Sequence, residues 1–314
     1  MKKLIAIGEA LIDFVPGEQG KRMEEVASFS PAVGGAPANV CGAFAKLGGE
    51  AQMITQLGND PFGDKIFHEF KKNGIRTESV LRTEEANTSL AFVALEQNGD
   101  REFSFYRNPG ADMLLSPESI KKEWFEDGYA LHFCSVSLGN FPMKRAHERA
   151  ISYAAEAGLL ISFDPNLRPA LWKSETAMKL AVEEFLPMAD IVKISDDELG
   201  FIAGTTDVEG AAAILLQGRT RLFIYTQGPE GAMAFTKNAF AEAEGIRVDA
   251  VDTTGAGDAF IGSFLYQMYQ DQVNADELEN LESRQLERYL VRSNYYCSES
   301  VKKHGAVPSY GTQL

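Results

Sequence analysis

The chain carries Val251-Asp252-Thr253-Thr254-Gly255-Ala256-Gly257-Asp258-Ala259-Phe260 at a point where a strand passes into a helix. Apolar residues follow at helical spacing: Ile261, Phe264, Leu265, Met268 and Tyr269. The small residues at 255 to 257 leave the first backbone N–H groups of this helix uncovered, and such groups bind anions with the help of the helix dipole. We therefore expect a phosphoryl group here, with Asp258 beside it as a proton acceptor.

The same residues also fit a structural role. In that interpretation Thr254 is the N-cap, the glycines permit a tight turn, and Asp258 complements the helix dipole. The stretch is not a P-loop, because the chain has no Gly-x-x-x-x-Gly-Lys-[Ser/Thr], and it is not a dinucleotide fingerprint, because Phe260 stands where the third glycine belongs. From these residues alone, both interpretations stay open.

A second glycine-rich segment, Gly34-Gly35-Ala36-Pro37-Ala38-Asn39, also leads into a helical pattern. Glycines let a polyhydroxylated ligand approach the backbone closely, and the Asn39 amide offers both a donor and an acceptor. The same residues fit equally well a turn and a helix start that the Asn39 amide caps.

Short apolar runs alternate with longer segments of helical period along the chain. The predicted strands are Leu4–Gly8, Gln52–Leu57, Ala130–Ser135, Leu159–Asp164, Ile191–Ile194 and Leu222–Thr226. This alternation is typical of βαβ units, so we predict an α/β fold with a mostly parallel central sheet flanked by helices.

One part of the chain departs from this alternation. Ser89–Leu95 and Glu102–Tyr106 flank Asn98-Gly99-Asp100, which predicts a hairpin. Together with Ile12–Ser30 it is expected to form a small antiparallel sheet. We predict one domain over residues 1–314, with lid segments at about 12–33 and 87–112.

The composition and charge of the chain exclude several classes of protein. With 314 residues and a net charge of -15, the chain can bury a large core and repels nucleic acid and anionic membranes. The cysteines Cys41, Cys134 and Cys297 form neither a disulfide framework nor a metal motif. Glu9 and Asp13 interrupt any signal peptide, and no apolar run approaches the ~18 residues that span a bilayer. We expect a cytoplasmic protein without nucleic-acid or membrane partners.

Two segments together resemble the signatures of the ribokinase (PfkB) family of sugar kinases: Gly34 to Gly63 is similar to the first, and Asp252 to Leu265 to the second. They occur in the family's order and at about its spacing, so the resemblance covers nearly the whole chain. It implies a ribokinase-like Rossmann-type sandwich with a small β-sheet lid, a sugar and ATP as ligands, and Mg²⁺ as the metal.

The resemblance also implies roles for residues at the reacting end. Asp258 is similar to the family's catalytic base, and the backbone amides of Gly255, Ala256 and Gly257 resemble its anion hole. The positions similar to the family's sugar contacts are Asp13, Gly34, Gly35 and Asn39. Asp13 also fits a turn carboxylate ahead of Pro16-Gly17.

For the nucleotide, the implied positions are Lys193, Thr226, Gly228 and Gly231, with an adenine-side wall from Asn294 to Ala306 that includes Gly305. Glu198 matches a family glutamate near magnesium, but Ser195 replaces the asparagine of many relatives, and an acidic helix start is the alternative. Asp252 and Thr254 resemble ligands of a monovalent cation, or Asp252 caps a strand end; a potassium requirement stays open.

Four further segments resemble fructokinases within the family: Gly8 to Pro16, Gly35 to Asn39, Arg107 to Asp112 and Asp164 to Arg168. They imply transfer of the ATP γ-phosphoryl group to the 6-hydroxyl of fructose, with Arg107, Asn166 and Arg168 at the substrate. Because a guanidinium binds a carboxylate bidentately, Arg107 and Arg168 also keep a 2-keto-3-deoxygluconate kinase, or another sugar kinase of the family, as an alternative.

A non-catalytic sugar sensor is the alternative of another class, although the intact Asp258 argues against it. Pairing of two copies through the lid is left open by the sequence.

Overall fold

The computed structural model describes residues 2–18, 20–95 and 101–314. The strands are β1 (Lys3–Ile7), β2 (Leu11–Pro16), β3 (Phe29–Gly34), β4 (Glu50–Gly58), β5 (Ile75–Arg76), β6 (Val80–Thr83), β7 (Leu90–Leu95), β8 (Arg101–Tyr106), β9 (Gly128–Cys134), β10 (Leu160–Asp164), β11 (Ile191–Ser195), β12 (Leu222–Thr226), β13 (Gly231–Phe235) and β14 (Phe240–Glu244). The α-helices are α1 (Ala36–Lys46), α2 (Pro61–Lys72), α3 (Pro142–Glu156), α4 (Glu175–Phe185), α5 (Asp196–Ala203), α6 (Val208–Leu215), α7 (Ala256–Gln270) and α8 (Ser283–Ser300).

A large sheet runs through the protein in the order β14-β13-β12-β11-β10-β9-β1-β4-β5, with β6 also paired to β4. The pairings from β12 through to β5 are parallel, whereas β13 and β14 continue the sheet antiparallel at one edge. All six predicted strands belong to it, and the predicted α/β class is confirmed.

Helices cover both faces of this sheet, because side chains of a strand alternate between its faces. Leu4 and Ala6 of β1 pack in one apolar cluster with residues of α1, α2, α7 and α8. Ile5 and Ile7 pack in a second cluster with residues of α3, α4, α5 and α6. The central strands are therefore buried on both sides, and their carboxyl ends point to one edge, where ligands bind in open α/β sheets.

A second, four-stranded sheet has the order β3-β2-β7-β8 and lies over that edge. Its strands come from the two segments predicted for the lid, and β7 pairs with β8 antiparallel as predicted. The turn predicted at 98–100 lies outside the described residues. Stacking of Phe14 on Phe92 and their contacts with Phe62 and Phe29 give this sheet its own apolar face.

One expectation about this small sheet is wrong, because it is not wholly antiparallel. β2 and β7 pair in parallel, with Asp13 opposite Ala91. Between them the chain returns through α1, β4 and α2, and a crossover of this length lets the second strand enter in the same direction as the first.

Candidate active site

A cleft of about 440 Å³ opens between the carboxyl ends of the large sheet and the small sheet. The predicted site residues that line it are Asp13, Gly35, Asn39, Asn166, Arg168, Lys193, Asp252, Thr254, Gly255, Ala256, Gly257 and Asp258. They come from parts of the chain up to 245 residues apart, yet the fold brings them to one place.

The start of α7 forms one end of this cleft. Gly255 is its N-cap, in the left-handed conformation with φ 74°, and the Tyr310 hydroxyl donates to the Gly255 carbonyl at 2.8 Å. A Cβ at position 255 would lie 2.5 Å from that hydroxyl and 2.6 Å from the Ala306 Cβ, so only glycine fits. The alternative that Thr254 caps the helix is wrong, since its hydroxyl donates to Asp252 instead.

Asp258 lies in the first turn of α7 and is 8% exposed. The side-chain amide of Asn39 donates to its Oδ2 at 2.9 Å. Burial and, to a lesser extent, the nearby Asp164 carboxylate raise the pKa of Asp258, whereas Asn39, Lys193 and Arg168 lower it; the net pKa is about 6. The group is therefore a carboxylate at neutral pH that accepts a proton more readily than an exposed aspartate.

Lys193 brings a positive charge to the same end. Its ammonium donates to Asp164 Oδ2 at 2.9 Å, and a Cβ at Gly257 would lie 3.2 Å from Nζ, so the absence of a side chain there lets the ammonium approach the helix start. Burial opposes its charged form, but Asp164 and Glu198 raise the pKa of Lys193 above its usual value. The start of α7 and this ammonium therefore both favour an anion at this end of the cleft.

Asp164 keeps one oxygen without a partner. It is 1% exposed, and Oδ1 has no hydrogen-bond partner among the residues that the structure describes. Buried polar atoms are almost always paired, so an orphaned carboxylate oxygen facing a cleft is typical of a ligand site. The sequence segment Asp164 to Arg168 pointed to this place, but Asp164 itself was not singled out.

Two predicted metal ligands are engaged by the protein itself. The Glu198 carboxylate accepts from the Leu167 amide at 2.6 Å and from the Ser195 amide at 3.0 Å, which is the capping arrangement of the alternative interpretation. Asp252 accepts from the amide and hydroxyl of Thr254 and from the Gly305 amide at 2.9 Å. Both therefore hold loops beside the cleft, and their metal roles stay predictions.

Other predicted nucleotide residues lie outside the cleft lining, along the edge of the large sheet. Thr226 ends β12, and Gly228 and Gly231 adopt positive φ in the turn to β13. The Asn294 amide donates to the backbone carbonyls of Ala243 and Glu244, each at 3.1 Å, and so ties α8 to β14. Their contact with a nucleotide stays a prediction.

At the other end of the cleft, Gly34 packs closely on Asp13, since a Cβ there would lie 2.0 Å from Asp13 Oδ2. Arg107 is buried and does not line the cleft; it pairs with Asp112 instead. Glu9 lines the cleft, and Asp112 is the partner of Arg107. Neither was identified as a site residue from the sequence, because their hydrogen-bond partners become known only from the fold.

Comparison with known proteins identifies the family. The model of the pfkB family carbohydrate kinases matches residues 1–312. The chain belongs to this family. The family predicted from the two signatures is therefore confirmed, and the chain is a carbohydrate kinase.

Relatives within the pfkB family cover almost the whole chain. The chain is 40% identical to probable fructokinase-2 of Arabidopsis thaliana over 98% of its length and 93% of the relative's. The crystal structure of fructokinase from Xylella fastidiosa with bound ATP is 34% identical, with a TM-score of 0.87, and the match covers 98% of this chain and 95% of that one. Fructokinase from Vibrio cholerae O395, in its fructose, ADP and calcium ion bound form, is 31% identical with a TM-score of 0.85, over 99% and 96% of the two chains.

Two kinds of feature are absent from residues 2–18, 20–95 and 101–314. These residues contain no group of three or more His, Cys, Asp or Glu side chains placed to hold a metal ion. None of their helices combines the length and apolar character needed to cross a membrane.

Proposed function

We propose that this kinase transfers the γ-phosphoryl group of ATP to the 6-hydroxyl of fructose. The observation that carries the proposal is the buried Asp258 in the first turn of α7, next to the small residues Gly255, Ala256 and Gly257 at the start of that helix. The fructokinases to which the chain is similar, one crystallised with ATP and one with fructose and ADP, supply the substrate pair.

In the proposed mechanism Asp258 accepts the proton of the sugar hydroxyl as that oxygen attacks phosphorus. Asn39 holds Oδ2, so the carboxylate is oriented before the sugar binds. A pKa of about 6 keeps the base deprotonated at neutral pH and still favours proton uptake in the transition state.

The α7 amides and Lys193 stabilise the charge on the transferred group. Lys193 lies against Gly257, where the ammonium can move from Asp164 to the phosphoryl oxygens without a change of backbone. Mg²⁺, when bound with ATP, neutralises the β- and γ-phosphates. Asp164 and Glu198 are the carboxylates we propose near it, and Asp164 Oδ1 has free acceptor capacity.

The remaining assignments extend the same proposal. Asp13, Gly34, Gly35, Asn39, Asn166 and Arg168 bind the sugar, and Thr226, Gly228, Gly231, Asn294 and Gly305 bind the nucleotide. The loop from Asp252 to Thr254 holds a monovalent cation such as K⁺. The small sheet acts as a lid over a single kinase domain. The protein is cytoplasmic. Two copies pair through the lid, which sedimentation would test.

The alternative substrate, a sugar acid, receives less support. Arg107, the buried guanidinium that was expected to bind its carboxylate, is already paired with Asp112. A sugar sensor is also less well supported, because the proposed base is present and buried, and the small residues of the proposed anion hole directly precede it.

The test is a coupled ADP-release assay with Mg-ATP and a panel of fructose, glucose, mannose, ribose, adenosine and 2-keto-3-deoxygluconate. We expect turnover of fructose, with fructose 6-phosphate identified by mass and by the position of the phosphate. Turnover of the keto acid in preference to fructose would replace the substrate but keep the chemistry, and no turnover of any compound would overturn the proposal.

A further inference from the structure

Five polar residues form a buried cluster behind the sugar end of the cleft: Glu9, Ser89, Arg107, Asp112 and Ser137. We call it the Arg107 cluster. Arg107 Nε donates to Asp112 Oδ2 at 2.9 Å, and Nη2 donates to the same oxygen. The Ser89 hydroxyl donates to Asp112 Oδ1. The side chains of the ion pair are 4% and 0% exposed, so both oxygens of Asp112 are occupied and dry.

The guanidinium of Arg107 is separated from the cleft by the residues of the cleft wall. Arg107 Nη1 donates to the Val136 carbonyl at 3.4 Å, and Nη2 to the Ser137 hydroxyl at 3.3 Å. Ser137 in turn donates to Glu9 Oε2 at 2.8 Å. Because Glu9 and Val136 line the cleft, the guanidinium lies directly behind its wall.

The charges of this cluster do not favour an anion. Two carboxyl groups, from Asp112 and Glu9, flank one guanidinium. Burial raises the pKa of Glu9, and the charge of Arg107 opposes that rise. A substrate carboxylate brought to this wall would lose its hydration, find the cation already neutralised by Asp112, and face Glu9. Arg168 also lines the cleft, but its side chain is exposed and its charge is screened by solvent.

We propose that Asp112 is a specificity-determining residue, which masks the charge of Arg107 and thereby makes the sugar end of the cleft select neutral sugars over sugar acids. Specificity then comes from a repulsive element as much as from attractive contacts. The inference rests on the proposed function, since it presumes that fructose is the substrate, and it adds a residue to which neither the signatures nor the relatives' names point.

The experiment compares kcat/KM for 2-keto-3-deoxygluconate with kcat/KM for fructose in the full-length protein. Asp112→Asn is isosteric. The guanidinium of Arg107 keeps a hydrogen-bond partner, but its positive charge is no longer neutralised by a carboxylate. We expect the ratio of sugar acid to fructose to rise at least about tenfold, the effect of one charged hydrogen bond. In Arg107→Gln/Asp112→Asn the ratio should return to the wild-type value, because the gain depends on the arginine.

A control variant breaks a different ion pair, in which only the carboxylate is buried. Asp190 accepts from Arg219 Nε at 2.9 Å and is 2% exposed, but it precedes β11 at the opposite edge of the sheet. Asp190→Asn should lower the melting temperature and leave the ratio unchanged. If Asp112→Asn does not melt cooperatively, Asp112→Ser replaces it, since a small hydroxyl removes the charge without adding volume.

The outcomes separate this inference from the proposed function. An unchanged ratio in the folded Asp112 variant, with wild-type turnover of fructose intact, overturns the masking role alone. Absence of fructose turnover in the wild type overturns the proposed function instead. A ratio that rises equally in the double variant also contradicts the inference, because the gain would then not come from Arg107.

Discussion

Two buried ion pairs stand at the two ends of the cleft, and they differ in what remains unsatisfied. In the Arg107–Asp112 pair both carboxylate oxygens accept hydrogen bonds, and the guanidinium lies behind a wall. In the Lys193–Asp164 pair one oxygen has no partner among the described residues, and the ammonium borders the open cleft beside Gly257. The first pair has no acceptor left for a ligand and has a structural role in the wall. In the second pair, the ammonium of Lys193 can leave Asp164 and bind a ligand instead. A buried salt bridge by itself therefore says little about function until its remaining donors and acceptors are counted.

The largest expected effect concerns the base between these pairs. Asp258→Asn should lower kcat for fructose by about a thousandfold, because the amide cannot take the proton. Its melting temperature should not fall, since the change relieves a buried charge and keeps the acceptor for Asn39. Asp127→Asn, an exposed aspartate next to the amino end of β9, is the control with normal kcat. A turnover within tenfold of wild type in Asp258→Asn would contradict general-base catalysis.

The open pair comes next. Lys193→Met should lower kcat by about a hundredfold through loss of a charge that stabilises the transferred group. Asp164→Asn should have a smaller effect, and it should appear in both kcat and the KM for ATP, because the lysine remains but is less well positioned. If Asp164→Asn matched Lys193→Met in kcat, Asp164 would have a direct role, and the contrast with Asp112 would become sharper.

The pH dependence is a milder test of the same end. The pKa of Asp258 is about 6, and the proposed mechanism requires its deprotonated form. We therefore expect kcat/KM for fructose to rise with pH up to about 6 and then to level off, as measured across a pH series at constant ionic strength. The Asn39 hydrogen bond lowers this pKa, so Asn39→Ala should move the acidic limb to higher pH. An acidic limb that stays in place would assign it to another group.

The smallest effect concerns the support of the helix start. Tyr310→Phe removes the hydrogen bond to the Gly255 carbonyl and should lower the free energy of unfolding by about 1 kcal/mol. Gly255→Ala should lower it by about 1–3 kcal/mol, because alanine is strained at this positive φ and its Cβ meets Tyr310. Urea denaturation measures both, and equal stability of Gly255→Ala and wild type would show that the helix start can shift.

Sequence and structure agree where the signal is local. The strands of the large sheet follow from short apolar runs, and the start of α7 follows from three small residues ahead of a helical pattern. The sequence did not predict contacts whose partner lies far away in the chain. Ser137 binds Glu9 across 128 positions, so the Arg107 cluster is not visible in spacing alone. The spacing of Ser195 and Glu198 did allow the capping interpretation, but the hydrogen bond from Leu167 to Glu198 depends on the fold. The parallel pairing of β2 with β7 was missed for the same reason, because it depends on the crossover between them.

The hydrogen bond from Asn39 to Asp258 joins residues 219 positions apart, and the Tyr310 hydroxyl supports the same helix start from the last residues of the chain. A ribosome adds residues in order, so Asn39 emerges long before the carboxylate it orients, and Tyr310 emerges after both. Contacts of such separation form late in folding. A nascent chain of this kinase therefore has no oriented carboxylate at the proposed base position until α7 has been synthesised and packed against α1.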